Sequence, residues 1–589
     1  MKFQSSLLVA ELILILGTLN PTLASLGGPE SVAENSRYQP ITGTRGMVAS
    51  DDAQASLWGT EILRKHGNAI DAAVATAWML SVTRPHYAAL GGGGFLIFCP
   101  KPDSAGQSPP CLSLDFREKA PRAAHKELYV RQGKLEPKLA RDGALAAGVP
   151  GIPAGLVTAL EKWGTLPRKT LLSLPIQIAT QGFRMTTHEE KASTQRWESM
   201  NTEAQKIFGC IASISTSKNP ARIPCAPGTL IRQPDLAKVL QDIAQKGKKG
   251  FYEGRTAQLI ASGIQQGGGI ITQIDLKSYE PVLREPIVTD FHGMQVITMA
   301  PPSSGGLVLA QLLGYADRAQ EQGQLQNGFG APATIHALTH AMALAFRDRA
   351  HFLGDPDAVE LPKNLLTPTY LNDQWKSFDS EHAALPKPEF TPEEKHPETT
   401  HLSVVDADGN MVAMTLTIND NFGSGFVPPG TGVVMNNQMD DFSIQTGIPN
   451  LYGLVGREAN AIGSGKRPLS SMTPTIIREK AGRNRLAIGA AGGPRITTSV
   501  YLTLVNRFLF GMSLRDAVAA ARFHHQWIPQ TLLFERFGLT PEAQTQLRSR
   551  GYTLEELPSL GKIQAVELLP NGRSSGASDP RSEGLAIAE

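Results

Sequence analysis

Four cysteines in 589 residues, none in a Cys-x-x-Cys arrangement, give no basis for a zinc ribbon or a thioredoxin-type redox centre. A large excess of charge of one sign is also missing. The formal net charge is +2 with 19% charged residues, so the chain lacks the basic field that concentrates nucleic acid, and nucleic acid is not an expected partner. Long apolar runs are scarce as well. The best, Leu7 to Leu19, is broken by Glu11 and falls short of the roughly 20 residues that span a bilayer. With Lys2 before it and Pro21-Thr22-Leu23-Ala24-Ser25 after it, residues 1–24 read as a signal peptide cleaved after Ala24. That reading makes the protein periplasmic or secreted; an uncleaved anchor is the alternative.

Signatures of cofactor chemistry are absent too. Gly91-Gly92-Gly93-Gly94 precedes a short apolar strand, Phe95 to Phe98, instead of following a strand and opening a helix, so it fails as a dinucleotide or phosphate loop. Close backbone packing is its expected role. His336 and His340 sit at i, i+4 on a helix expected from Ala333 to Leu353, but the intervening Glu of a zincin motif is missing, and they read as structural histidines. His524-His525 beside Trp527 receive the same reading. Neither a metal nor an organic cofactor is expected. Cys99, Cys111, Cys210 and Cys225 allow three disulfide connectivities. Their spacing as two close pairs makes Cys99–Cys111 and Cys210–Cys225 the expectation for an exported chain, with free buried thiols as the alternative.

What the chain does contain is a hairpin signal after a polar run. From about Trp375 to Glu398 the sequence is charged and punctuated by Pro386, Pro388, Pro392 and Pro397, the best linker in the chain. Two β-forming runs, 400–406 and 411–417, then flank Ala407-Asp408-Gly409, where Gly suits the left-handed position of a three-residue bulged turn. That register pairs Asp406 with Asn410 and sets Thr399 opposite Thr417; a two-residue turn would shift it by one. A threonine at a strand start becomes a nucleophile if the chain is cut before it. The freed α-amine, with an ordinary pKa of about 7.7–8.0, can then act as its base.

Upstream, residues to about 45 read as an irregular arm. Ser50 and Asp51 can cap a helix carrying Ala53, Leu57, Ile62 and Leu63, and Asn68 can cap a second with Ile70, Ala73, Val74, Ala77 and Met79 on its apolar face. Leu112 to Phe116 reads as a strand that delivers Arg117. No catalytic constellation stands out between about 150 and 290, and the region of Cys210 and Cys225 reads as a surface excursion. Periodicity alone supports a mixed α/β chain.

Several motifs occur together and in order: Gly67-Asn68-Ala69-Ile70-Asp71-Ala72-Ala73, Gly91–Gly94, Asp115-Phe116-Arg117-Glu118, Pro301-Pro302-Ser303-Ser304-Gly305-Gly306, Thr399-Thr400-His401-Leu402-Ser403-Val404-Val405-Asp406, Asn436-Asn437-Gln438-Met439-Asp440-Asp441-Phe442-Ser443, Lys466-Arg467-Pro468-Leu469-Ser470-Ser471-Met472 and Gly492-Gly493. Together they resemble the γ-glutamyltransferases, self-cleaving N-terminal-nucleophile hydrolases. The resemblance covers nearly everything after the first forty or so residues. It implies an α+β fold, the four-layer αββα sandwich, built jointly by a large fragment, 25–398, and a small one, 399–589, as a heterodimer. It implies cleavage between Glu398 and Thr399 and attack by Thr399 on γ-glutamyl compounds such as glutathione, with water or an amino-acid or dipeptide amine as acceptor.

By the same resemblance, Thr417 positions Thr399 and the N–H groups of Gly492 and Gly493 form the oxyanion hole. Arg117, Ser470 and Ser471 match the substrate carboxylate side; Asn419, Gln438 and Asp441 match the ammonium side. The loop Pro449-Asn450-Leu451-Tyr452-Gly453 looks like a lid, contributed by Tyr452. The segment Gly489-Ala490-Ala491-Gly492-Gly493-Pro494 departs from the serine-containing versions of this loop. Two alternatives stand beside this expectation: a related acylase acting on β-lactam side chains, and a secreted non-enzymatic binding protein on the same scaffold.

Overall fold

Asp406 organises the turn of the Thr399 hairpin. Its carboxylate accepts from the N–H groups of Asp408 and Asn410 and the Asn410 amide, and reaches across to the N–H of Ala69. Gly409 takes φ +90°, the left-handed conformation that a bulged turn requires. The strands Thr400–Val405 and Met411–Thr417 pair with Thr400 opposite Leu416 and Val405 opposite Met411, the register expected for a three-residue turn. This computed structural model describes residues 41–211, 221–383 and 399–589. The expected signal peptide, 1–24, and the part of the linker from 384 to Glu398 lie outside the described residues.

The hairpin forms the middle of a seven-stranded antiparallel sheet. Its order is Val282–Arg284, Leu112–Phe116, Gly93–Cys99, Met411–Thr417, Thr400–Val405, Met47–Ser50, Leu585–Ala588. A second antiparallel sheet runs Ile41–Gly43, Ser574–Ser578, Lys562–Leu568, Asn484–Ala491, Thr475–Glu479, Met294–Thr298, Ile287–Phe291. The sheets face each other. Helices Ala53–Arg64, Ala69–Thr83 and Ile152–Trp163 cover the first; Ser304–Glu321 and Arg495–Leu504, with Pro332–Phe352 packed on Ser304–Glu321, cover the second. This is the four-layer αββα sandwich of the N-terminal-nucleophile class. Each sheet takes strands from both sides of residue 399, so cleavage there would leave the two pieces interlocked.

The helix after Met47–Ser50 is capped by Asp52, whose carboxylate accepts from Ala55 N at 2.7 Å, and not by Ser50 or Asp51. Ser50 is used up by the strand. Asp51 is drawn elsewhere, accepting from Thr400 Oγ1 at 2.9 Å and Gln564 Nε2 at 2.5 Å, and so ties the strand Thr400–Val405 to the opposite sheet. Asn68 caps the next helix as expected, in a reciprocal capping box with Asp71.

Three further expectations are corrected. Ile41–Gly43 is an edge strand, not part of an irregular arm, because Ser574–Ser578 offers it a ladder. The strand expected from Phe95 begins at Gly93, and an added Cβ on neighbouring Gly92 would lie 2.1 Å from Thr417 O, so only glycine lets these backbones approach. Trp375 is not linker: it closes the helix Pro368–Trp375, is 3% exposed, and stacks on Phe378 and Tyr315. Cys99 pairs with Cys111 and Cys210 with Cys225, the local connectivity.

Candidate active site

Thr399 lies just before its strand, nearly buried, with Oγ1 3.2 Å from Thr417 Oγ1. Thr417 Oγ1 in turn accepts from Asn419 N at 2.9 Å, which orients the hydroxyl pair. Asn419 adopts φ +83°, a left-handed conformation that asparagine tolerates better than most residues, and its amide is anchored on Asn437 O at 3.1 Å. The strand end and the turn after it therefore hold two hydroxyls in fixed relation.

Arg117 enters from the end of Leu112–Phe116 and is buried. Its Nε donates to Pro468 O and its Nη2 to Leu469 O and, at 2.5 Å, to Asp441 Oδ2. The arginine and aspartate that the sequence assigns to opposite ends of a substrate are thus ion-paired to each other. Asp441 also accepts from Gln438 Nε2 at 2.8 Å and Asn450 Nδ2 at 3.3 Å. Gln438 Oε1 is buried with no hydrogen-bond partner among the described residues. Beside Arg117, burial pushes the Glu118 carboxyl up to about 8, against the pull of the guanidinium, so it is mainly protonated at neutral pH.

Tyr452 pins the loop above. Its hydroxyl donates to Asn419 O at 2.6 Å, while Leu451 N donates to Asp440 Oδ2 and Asn450 Oδ1 accepts from Tyr452 N and Leu454 N. Ser470 is held from below by Ser304, whose N and Oγ both donate to Ser470 O. Its own Oγ accepts from Met472 N at 3.1 Å. Gly492 and Gly493, at φ +135° and +58°, end the strand Asn484–Ala491 and lead into the helix Arg495–Leu504, where the positive end of the helix dipole faces the site.

One cleft is lined by Thr399, Thr417, Gly493, Tyr452 and all six residues nominated for substrate binding. Gly492 stands one residue behind its wall. The profile described as Gamma-glutamyltranspeptidase matches residues 55–589. The chain belongs to that family. It is 39% identical over 555 residues to the glutathione hydrolase proenzyme of Escherichia coli (strain K12), covering 93% of this chain and 92% of that one. The glutathione hydrolase proenzyme of Pseudomonas aeruginosa is 39% identical over 574 residues, with 96% and 98% covered. Among solved structures, cephalosporin acylase from Bacillus halodurans superposes with a TM-score of 0.79 at 26% identity, covering 94% and 98%.

Within this γ-glutamyltranspeptidase scaffold His336, His340, His524 and His525 are hydrogen-bonded to neighbouring protein groups. His336 is bonded through both ring nitrogens, to Tyr552 OH and Asp379 O, and His340 contacts Ser377 Oγ. His524 spans Thr498 and Gln526, and His525 Nδ1 accepts from Trp527 N. Among the described residues no group of three or more His, Cys, Asp or Glu is arranged to hold a metal ion. Among them, too, no helix is long and apolar enough to cross a membrane.

Sequence reasoning missed Arg349, which reaches the cleft from the last turn of Pro332–Phe352. A signal was present: Leu338, Met342, Ala345 and Arg349 fall on one helical stripe, and an arginine in an apolar stripe must be buried or paired. It missed Asp440 as well, which anchors the Tyr452 loop and is held by Arg141 Nε at 3.0 Å.

Proposed function

We propose that the protein is a self-processing γ-glutamyltransferase and glutathione hydrolase. In the precursor, Thr399 Oγ1 attacks the carbonyl of Glu398; an N-to-O shift and hydrolysis of the ester then free the Thr399 α-amine. In the mature enzyme that amine takes the hydroxyl proton as Oγ1 attacks the γ-carbonyl. The oxyanion is met by the N–H groups of Gly492 and Gly493, such a donor being worth about 2.7–4 kcal/mol. The leaving amine departs with the proton, and water or the amine of an amino acid or dipeptide resolves the acyl-enzyme. No metal or organic cofactor takes part in this scheme. Residues 1–24 direct export, and fragments 25–398 and 399–589 persist as a heterodimer.

The observation that carries this reading is the paired Thr399 and Thr417 hydroxyls in a cleft also lined by Arg117, Ser470 and Ser471 and by Asp441, Gln438 and Asn419. Arg117 and Asp441 satisfy each other in the empty cleft; a zwitterionic glutamyl group supplies one charge to each, so binding exchanges ion pairs without stranding a charge. The acylase reading is favoured only by the likeness to cephalosporin acylase. The test is a denaturing gel of purified protein beside a γ-glutamyl anilide assay. Wild type should run as two bands and turn over the anilide; Thr399→Ala should run as one and be inactive. Two bands from Thr399→Ala would overturn the assignment, and a preference for β-lactam side chains over the γ-glutamyl anilide would favour the acylase.

A further inference from the structure

The Tyr452 loop is fastened beside Thr417 by the bond from Tyr452 OH to Asn419 O. A further tie runs to the helix that follows Gly492 and Gly493. Gln526 Nε2 donates to Tyr452 O at 3.0 Å, and Gln526 Oε1 lies 2.9 Å from His524 Nε2. His524 Nδ1 lies in turn 2.8 Å from the Oγ1 of Thr498, in the first turns of Arg495–Leu504. Gln526, His524 and Thr498 are all buried.

The carbonyl at one end sets the direction of the whole row. Tyr452 O can only accept, so the Gln526 amide turns its NH2 to the loop and its oxygen to His524. That oxygen also only accepts, so His524 carries its proton on Nε2. Burial holds the His524 pKa down at about 3, so the ring is neutral at pH 7 and its Nδ1 is an acceptor. The Thr498 hydroxyl donates to it. Each group is satisfied in this one arrangement, and reversing the amide would set two acceptors against each other at the loop. A buried polar row satisfied in this way is rigid.

The backbone beside Gln526 is strained. Ile528 N donates to Gln526 O at 2.8 Å across Trp527, whose φ is +69°. A bond from i+2 back to i around a residue at positive φ is the rare, strained form of the γ-turn. A bulky residue keeps such a conformation only where its surroundings hold it. Here Trp527 N donates to His525 Nδ1 at 3.2 Å, and the Trp527 ring lies 5.1 Å from that of His351. Strain maintained next to a side chain that reaches the loop points to a use for that reach.

We propose that Gln526 is a positioning residue that holds the main chain of the Tyr452 loop to the helix Arg495–Leu504, through His524 and Thr498, and so seats the Tyr452 hydroxyl on Asn419 over a bound γ-glutamyl group. This rests on the γ-glutamyl reading above. Without the Gln526 donor, Tyr452 O turns to solvent and the loop lifts. The substrate is then held less well before reaction and in the transition state alike.

The experiment uses purified two-band enzyme, a γ-glutamyl anilide and Gln526→Met, which keeps the volume and loses the donor. KM should rise about 3- to 10-fold, as for loss of a neutral hydrogen bond, while kcat stays within about twofold, because ground-state and transition-state binding fall together. In a Tyr452→Phe background, which has no hydroxyl to seat, the same substitution should raise KM by less than about 1.5-fold. Gln526→Asn is one methylene too short to reach both His524 and Tyr452 O; it should give the same pattern and serves if Gln526→Met does not fold. Hydrogen exchange reads the loop without substrate. Amides of residues 450–454 should exchange about 3- to 10-fold faster in either variant, with those of 411–417 unchanged. Loop exchange at the wild-type rate, an equal rise in KM in both backgrounds, or a fall in kcat with KM unchanged would overturn the proposal. Wild-type enzyme that is cleaved yet leaves the γ-glutamyl anilide intact would instead overturn the γ-glutamyl reading, and with it the seating of Tyr452 over that group.

Discussion

Asp441 carries the most consequence per atom in this cleft. One carboxylate binds Arg117, Gln438 and Asn450 and faces the place proposed for the substrate ammonium. Asp441→Asn keeps the shape and removes the charge, leaving both the ammonium and Arg117 without their anion. Truncating one partner of a desolvated charge pair costs about 2–5 kcal/mol, so kcat/KM for a γ-glutamyl anilide should fall roughly 30- to 3000-fold. Self-cleavage should continue, because the bond before Thr399 presents no free ammonium for Asp441 to hold. An anilide assay run beside a denaturing gel checks both halves. Unchanged turnover by fully cleaved Asp441→Asn enzyme would place the ammonium elsewhere.

At the scale of elements, the geometry of the proposed nucleophile, Thr399, depends on how closely three strands and a glycine run approach one another. Met411–Thr417 lies between Thr400–Val405 and Gly93–Cys99, and Gly92 lies under its last carbonyl. Gly92→Ala would set a Cβ 2.1 Å from Thr417 O, so the backbone at Thr417 must move and carry its hydroxyl off the 3.2 Å contact with Thr399. A misplacement of order 1 Å in a reacting group costs about 100-fold. Conversion of the precursor band to two bands should slow by that order, followed by gel over time after synthesis. Conversion at the wild-type rate would show that Thr417 is not needed where it stands. Gly489 has a similar role between the sheets: an added Cβ would lie 2.3 Å from the His401 ring, so glycine leaves a bay for that histidine.

Across the whole molecule, His401 shows how the sandwich treats polar groups at its centre. It is bonded to Thr415 Oγ1 at 2.8 Å and Ser403 Oγ at 3.1 Å, and Ser403 donates to Gln564 O on the facing sheet. Burial lowers its pKa to about 3. Because the folded pKa lies below the unfolded value of about 6.5, the unfolded chain binds the extra proton between those limits; the stability from neutral His401 is complete above about pH 6.5 and is lost as pH falls toward 3. Buried Glu118 acts in the opposite sense over its own window, so the clean measurement is a difference. The stability of wild type relative to His401→Gln should fall by about 1.4 kcal/mol per pH unit on going from pH 6.5 to 4.5, read from denaturant unfolding at several pH values. A constant difference would mean that the folded protein already accommodates the charged ring.

Local backbone demands were legible in the one-dimensional chain. Asp408-Gly409 between two β-runs marked the hairpin and left two registers, of which the structure takes the three-residue turn that sets Thr399 against Thr417; Asn68 and Asp71 cap a helix within four residues of each other. The glycine run was readable for the same reason, since it is judged from close neighbours. The motifs of the family carried the rest of the expected site, but not its internal pairing. That Arg117 binds Asp441, that Arg349 reaches the cleft and binds Ser304, that Asp52 and not Asp51 caps its helix, and that Trp375 is buried were all decided by distant partners competing for the same groups. Arg117 and Asp441 lie 324 positions apart along the chain, Asp51 and Gln564 lie 513 apart, and no local pattern ranks such competitors. Sequence alone determined which residues bend, cap and alternate; tertiary structure decided which charges meet, because a buried charge takes whichever partner the packed layers bring within reach.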